Sequence, residues 1–458
     1  MFVRTRLDVW RLSVGSELAA ATEPWHPVLD TYARGVQLMM ERDNPPTPDS
    51  WLWAANTHGV PFGEPTHVRW DQCAHASVFF LPWHRAYLAW FESTLITLTG
   101  DAEWALPYWD YARDPDQTLT MPPEFTVPER TVDGQLIPNT LFRPGRTTIL
   151  PIDDVGYGGL VEPRFVRAFP RAGFGGLDAD GRFGTLESLP HNNVHVDIGA
   201  EMQSTTVAGR DPIFWLHHSN IDRLWEAWLA LPGSTRLEDQ TDLPAQLVST
   251  WGSAVIQFGD TAAHPANATY QLGQLADTTA QPLCYSYEDA RVPEPIAERI
   301  AEIRATLPGG PMGLDETDRE RWTPVGAVAD AHSQDPTTIG LEPLPLGLDG
   351  AGPTGLVIDL AGVRAVHPHA QYTVWVRTAP DAPAHAAGRF ATFGLEGTPD
   401  DEERSYAIDA GEVLPILQAE GWQGGELTVE VLPTAGRPDA QAPDRGIDIA
   451  QIVVYVRT

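Results

Sequence analysis

Histidine spacing constrains this chain more than any other feature. In His191-Asn192-Asn193-Val194-His195 two imidazoles stand at i and i+4. That spacing puts both on one helix face, where they can reach one metal ion. A second block runs Asp211-Pro212-Ile213-Phe214-Trp215-Leu216-His217-His218-Ser219-Asn220-Ile221-Asp222. It reads as a helix opening at Pro212, since the first turn needs no N–H there. His218 and Asp222 fall one turn apart, and a carboxylate so placed can accept a proton from a ligand's second nitrogen and fix its tautomer. His217 points about 100° away from His218 on such a helix, so the two are not expected to share a metal.

The third block is His58, then Cys73-Ala74-His75, then Leu81-Pro82-Trp83-His84-Arg85. His75 and His84 are separated by about 900° of helical rotation, which is opposite faces. They can share a metal only if His75 precedes a helix that starts near Pro82. His84 is then helical, and His58 and His75 lie on loops or helix ends. Two separate sets of three histidines predict two metals. No carboxylate stands at ligand spacing as in the Glu-x-x-His pairs of di-iron bundles. Zinc hydrolases normally pair one site with a carboxylate base on the motif helix. Ligation by imidazole alone favours copper by affinity order, and a pair of coppers suits oxygen chemistry. The plainer reading, buried and satisfied core histidines, has to explain six coincidences flanked by aromatic residues.

The 458 residues divide into three stretches. Residues 1–290 carry 10 of the 14 histidines. They show helical apolar spacing at Pro27–Glu41, Leu81–Leu98, Leu189–Ile198 and Ile213–Leu231, with long Pro/Gly-rich loops between. Residues 291–352 read as a linker holding one helix, Pro295–Leu307, followed by Pro308-Gly309-Gly310-Pro311 and Gly340–Gly352. Residues 353–458 turn to strands at Gly355–Leu360, Tyr372–Arg377, Arg389–Phe393, Leu427–Leu432 and Ile449–Val456. The fold class expected is mainly α. A helix-bundle catalytic domain with long loops holds a dicopper site, and a C-terminal antiparallel β-sandwich follows.

A net charge of −32 opposes binding to nucleic acid or anionic membranes. Two distant cysteines exclude a disulfide framework. No run of about 18 apolar residues suggests a membrane span. The N-terminus shows no apolar signal stretch, so the expectation is a cytoplasmic protein.

These blocks resemble the type-3 copper proteins: tyrosinases, catechol oxidases (polyphenol oxidases) and molluscan haemocyanins. His75…Phe79-Phe80-Leu81-Pro82-Trp83-His84-Arg85 is similar to the family's first-copper signature. Asp211-Pro212-x-Phe214-x-x-x-His218-x-x-x-Asp222 is similar to its second. Ala105-Leu106-Pro107-Tyr108-Trp109-Asp110 and Met121-Pro122-Pro123-Glu124-Phe125 look most like plant polyphenol oxidases, and Tyr285-Ser286-Tyr287 resembles the Tyr-x-Tyr motif closing their catalytic domain. By this resemblance the first copper takes His58, His75 and His84, with His67 the competitor of His58. The second takes His191, His195 and His218. Cys73 matches the fungal position that forms a thioether to the ligand histidine. Glu187 and Asn192 match residues that hold a water near the second copper, able to act as general base toward a monophenol. Thr205 matches a gate position that is often phenylalanine in plant enzymes, and Val196 offers an apolar wall.

The resemblance implies an oxidase that converts ortho-diphenols, and in some members monophenols, to ortho-quinones with O2. It also implies latency while the C-terminal domain covers the site. An ortho-aminophenol oxidase of a biosynthetic pathway is the alternative within the class, and a haemocyanin-like oxygen carrier the alternative outside it. A small phenol is the implied substrate. A copper chaperone and an activating protease are candidate partners, and the sequence sets no oligomeric state.

Overall fold

The computed structural model describes residues 2–177, 182–306, 322–333, 335–344, 352–365, 370–379, 381–395, 403–434 and 446–457. Five of the helices in the site-bearing half frame the site. They are α1 (Pro27–Met40), α2 (Trp51–His58), α3 (Phe80–Thr99), the short α4 (Asn193–Ile198) and α5 (Pro212–Ala230). Capping follows the sequence. Ser50 accepts from Trp53 N–H ahead of α2, and Asp211 accepts from Ile213 N–H ahead of α5, with Pro212 at the first helical position. At the end of α3, Gly100 takes a left-handed conformation (φ 74°) and its N–H closes on Ile96 O. The N-terminal strand β1 (Arg4–Arg6) pairs in parallel with β2 (Tyr285–Tyr287), so the ends of this half lie side by side. A further helix, α6 (Glu294–Thr306), starts within one residue of the expected position.

The second half is a sandwich of two four-stranded antiparallel sheets. Its strands are β3 (Trp322–His332), β4 (Thr337–Gly340), β5 (Gly355–Ala365), β6 (Gln371–Arg377), β7 (His385–Ala391), β8 (Arg404–Asp409), β9 (Glu426–Pro433) and β10 (Ile447–Arg457). One sheet runs β4-β9-β6-β7 and the other β8-β5-β10-β3. The strands expected from sequence all lie within or beside observed strands. The boundary at 352 does not hold: β3 and β4 fall inside 291–352, the stretch read as linker. Both occupy sheet edges, and β3 alternates only weakly between buried and exposed positions, so its sequence lacks a clear strand signal. Pro308-Gly309-Gly310-Pro311 lies outside the described residues.

Each half has its own apolar core. The two meet at the mouth of the histidine site. Ala76 and Phe183 pack into the sandwich core, and Val196 forms a small buried cluster with Ala391 and Phe393. Among the described residues no helix is long and apolar enough to cross a membrane.

Candidate metal centre

α2 ends on His58, and the next residue explains how the ring is held. A Cβ on Gly59 would lie 2.4 Å from Thr205 O, so only glycine lets the 205 segment come this close. That approach allows His58 Nδ1 to donate to the Thr205 carbonyl at 2.8 Å. His75 sits on the loop before α3, as the nine-residue spacing requires. His84 is on α3 and its Nδ1 donates to Phe80 O, one turn earlier, at 2.8 Å. Cys73 Sγ lies 3.4 Å from His75 Nε2 and 3.4 Å from His84 Nε2. His67, the competitor, lies elsewhere: it packs on Trp53 and faces Asp260 at 3.5 Å.

The second set comes from a helical segment, Glu187–Asn192, that breaks at Leu189 and continues into α4. His191 Nδ1 donates to Asn192 Oδ1 at 2.9 Å, and His195 Nδ1 to Met202 O at 2.7 Å. α5 brings His218, whose Nε2 is 3.2 Å from His195 Nε2.

Donor atoms of His58, Cys73, His75 and His84 lie within 4.8 Å of one another, and so do those of His191, His195, His217 and His218. The two groups adjoin, with the His84 and His218 rings stacked at 4.2 Å. His217 therefore departs from the sequence expectation. Rotation about its side-chain bonds overcomes the helical offset, and its ring stacks on His191 at 5.4 Å.

Burial holds all these imidazoles neutral. It lowers His58 to about 4 against the opposing Thr205 bond, and His191 to about 3 against the Asn192 bond. His75, His84, His195, His217 and His218 are pushed well below the ordinary value by burial and by each other. Nδ1 of His58, His84, His191 and His195 is committed to an oxygen acceptor, which leaves the Nε2 lone pair for a metal. His58 Nε2 and His191 Nε2 are buried and meet no partner among the described residues. A donor set of neutral, oriented imidazoles with a thiol at its edge fits two copper ions.

Asp222 does not do what its spacing suggests. It receives Arg85 and the hydroxyls of Tyr285 and Tyr287, with Arg6 at 3.5 Å, rather than a ligand N–H. Burial pushes its carboxyl up, but Arg85, Arg6 and the two hydroxyls outweigh that and hold it low. Nδ1 of His58, His84 and His195 uses backbone carbonyls and that of His191 uses Asn192, while His218 Nδ1 is buried with no partner among the described residues; sequence spacing cannot show these acceptors.

Glu187 Oε1 accepts from Ala76 N–H at 2.8 Å, while Glu187 Oε2 and Asn192 Nδ2 are buried with no partner among the described residues. Burial raises the Glu187 carboxyl, against the Ala76 bond and the charge of Arg404 from β8. Thr205 contributes its carbonyl to His58, and its methyl lies beside Gly394.

Sequence reading missed Phe393. This fully buried residue of the sandwich half stacks on His195 at 4.1 Å and 15°, with its edge to His75 and His191. Gly394 (φ 80°) follows it in a turn closed by Leu395 N–H to Thr392 O, and Thr392 is braced on Ala370.

The family model for the common central domain of tyrosinase matches residues 48–155 and 168–231, which include every histidine of the two groups. These residues carry the common central domain of tyrosinase, and the relatives that the chain is similar to are tyrosinases and polyphenol oxidases. Proteins of that family are dinuclear copper oxidoreductases that use O2 on phenols. A tyrosinase of Hahella sp. (strain CCB-MM4) is 27% identical over 490 residues, covering 93% of this chain and 96% of that one. A chloroplastic polyphenol oxidase of Vitis vinifera is 30% identical over 285 residues, covering 56% of this chain and 44% of the relative. In fold, the chain is similar over its whole length to a latent apple tyrosinase, with a TM-score of 0.61 at 19% identity and 98% of that chain covered.

Proposed function

We propose that this protein oxidises ortho-diphenols to ortho-quinones, and that the uncut chain is latent. His58, His75 and His84 hold one copper and His191, His195 and His218 the other, with His217 beside the second. When bound, the copper pair would supply O2 binding and two-electron redox chemistry. The protein's own part is orientation and exclusion of water. His195 offers its ring face as the platform on which a phenol stacks, the place that Phe393 now takes. Glu187 Oε2 and Asn192 Nδ2 orient one water as proton acceptor for the phenol hydroxyl, which gives a monophenol a route into the reaction. Cys73 forms the thioether to His75 that the fungal resemblance implies.

Latency rests on one observation. An aromatic ring from the sandwich half fills the ring-stacking position on His195, and it stands on a braced turn rather than a loose loop. The sandwich must therefore shift as a body before substrate enters.

Oxygen uptake by the copper-loaded chain, with 4-methylcatechol and then 4-methylphenol, before and after limited proteolysis, tests this reading. Two coppers per chain, slow uptake when intact and fast uptake with the catechol after cleavage are expected. Two bound coppers with no uptake in either state contradict the oxidase. Equal uptake in both states contradicts latency.

A further inference from the structure

The strand that carries the plug is laid across the mouth of the site much as an extended peptide would be. Arg389, Ala391 and Phe393 alternate onto the face turned toward the helical half, while Phe390 points into the sandwich core. Phe393 stacks on His195 and Ala391 packs on Val196. Arg389 reaches Asp153 Oδ2 at 3.4 Å and Asp154 Oδ1 at 3.7 Å. Beside it, Gln371 Nε2 of β6 donates to Asp197 Oδ1 at 2.9 Å. Asp154 is itself buried and held by Asn193 Nδ2 at 3.0 Å. Burial raises the Asp154 carboxyl and the nearby Arg389 charge opposes the rise. The helical half therefore presents an acidic ledge, an apolar step and a ring platform in line. Three residues separate the arginine from the ring; four steps of extended chain span about 13 Å.

Phenylalanine has the ring of tyrosine without the hydroxyl, so this strand binds as a substrate would and cannot react. We propose that the strand is an internal mimic of the preferred substrate: a phenol or catechol side chain on an extended polypeptide, with a cationic residue four positions before it that seats on Asp153 and Asp154. The inference rests on the oxidase reading above. For a catechol side chain the step is the one already proposed. Its two O–H bonds break, two electrons and two protons pass to half an O2, and an ortho-quinone and one water form.

The test compares two capped five-residue peptides on the copper-loaded chain after limited proteolysis. Both end in 3,4-dihydroxyphenylalanine. One has the order Arg-Phe-Ala-Thr before it and the other Glu-Phe-Ala-Thr. The arginine peptide is expected to show a kcat/KM about tenfold higher, and the ratio falls toward one when Asp153→Asn and Asp154→Asn are combined. Equal values for the two peptides, with 4-methylcatechol still oxidised, overturn the inference and leave the oxidase standing. If 4-methylcatechol is not oxidised, the oxidase reading fails, and binding decides the rest. Fluorescein-labelled versions ending in phenylalanine are titrated against the same cleaved protein by anisotropy. A Kd about tenfold lower for the arginine peptide supports the ledge, and equal or undetectable binding overturns it.

Discussion

The two halves of this chain are stabilised in different ways. The sandwich core is mostly aliphatic, with Ile358, Leu360, Val374, Val376, Leu427 and Val454 packed around the rings of Tyr372, Phe390 and Tyr406. Asp359 is buried at its margin and pairs with Arg182 of the other half. The helical half buries Arg6, Arg85, Glu92, Asp110, Glu187 and Arg223 together with its histidines. Hydrophobic burial tolerates small errors of geometry, whereas a buried charge depends on its exact partner. The half that carries the chemistry accepts more of that fragility than the half beside it, whose buried charges among the described residues are Asp359 and Arg457.

Acid should separate the halves most strongly. His58 and His191 fold with values of about 4 and about 3, depressed from the ordinary 6.5 by burial. Protons therefore bind the unfolded chain first, and the stability present above about pH 6.5 is lost progressively as pH falls through the folded values. In the metal-free chain, the helical CD signal is expected to melt at lower temperature at pH 5 than at pH 7, ahead of the sandwich. Coincident loss of both halves, unchanged by pH, would break the comparison.

Removing one buried charge comes next. Asp222→Ala takes one carboxylate from Arg85 and Arg6, which keep Glu226 and Glu92, and leaves two tyrosine hydroxyls without their acceptor, at a cost of about 3 kcal/mol in denaturant unfolding. Asp222→Asn keeps an acceptor and costs less. In the sandwich, Ile358→Ala leaves a cavity and costs about 3 kcal/mol, with no change in copper stoichiometry. Arg182→Gln, at the seam, leaves the buried Asp359 carboxylate with a neutral partner, costs about 2 kcal/mol and is expected to speed limited proteolysis of the uncut chain.

The same contrast explains what could be read from sequence. Histidine spacing showed the two groups, and Pro212 placed the start of α5. The α2 helix was not read because it is buried nearly all round, so Trp51–His58 has no apolar stripe to reveal a 3.6-residue period. β3 and β4 escaped because edge strands carry weak alternation. The roles of His217 and Asp222 and the position of Phe393 are set by contacts between segments far apart in the chain, which spacing along one helix cannot report.

The central claim is that Phe393 keeps a competent copper oxidase closed. Oxygen uptake with 4-methylcatechol by the uncut chain, wild type against Phe393→Gly at equal copper content, tests it most directly. The account predicts at least a severalfold faster uptake in the variant. Two coppers bound in both proteins with the same slow rate would contradict it.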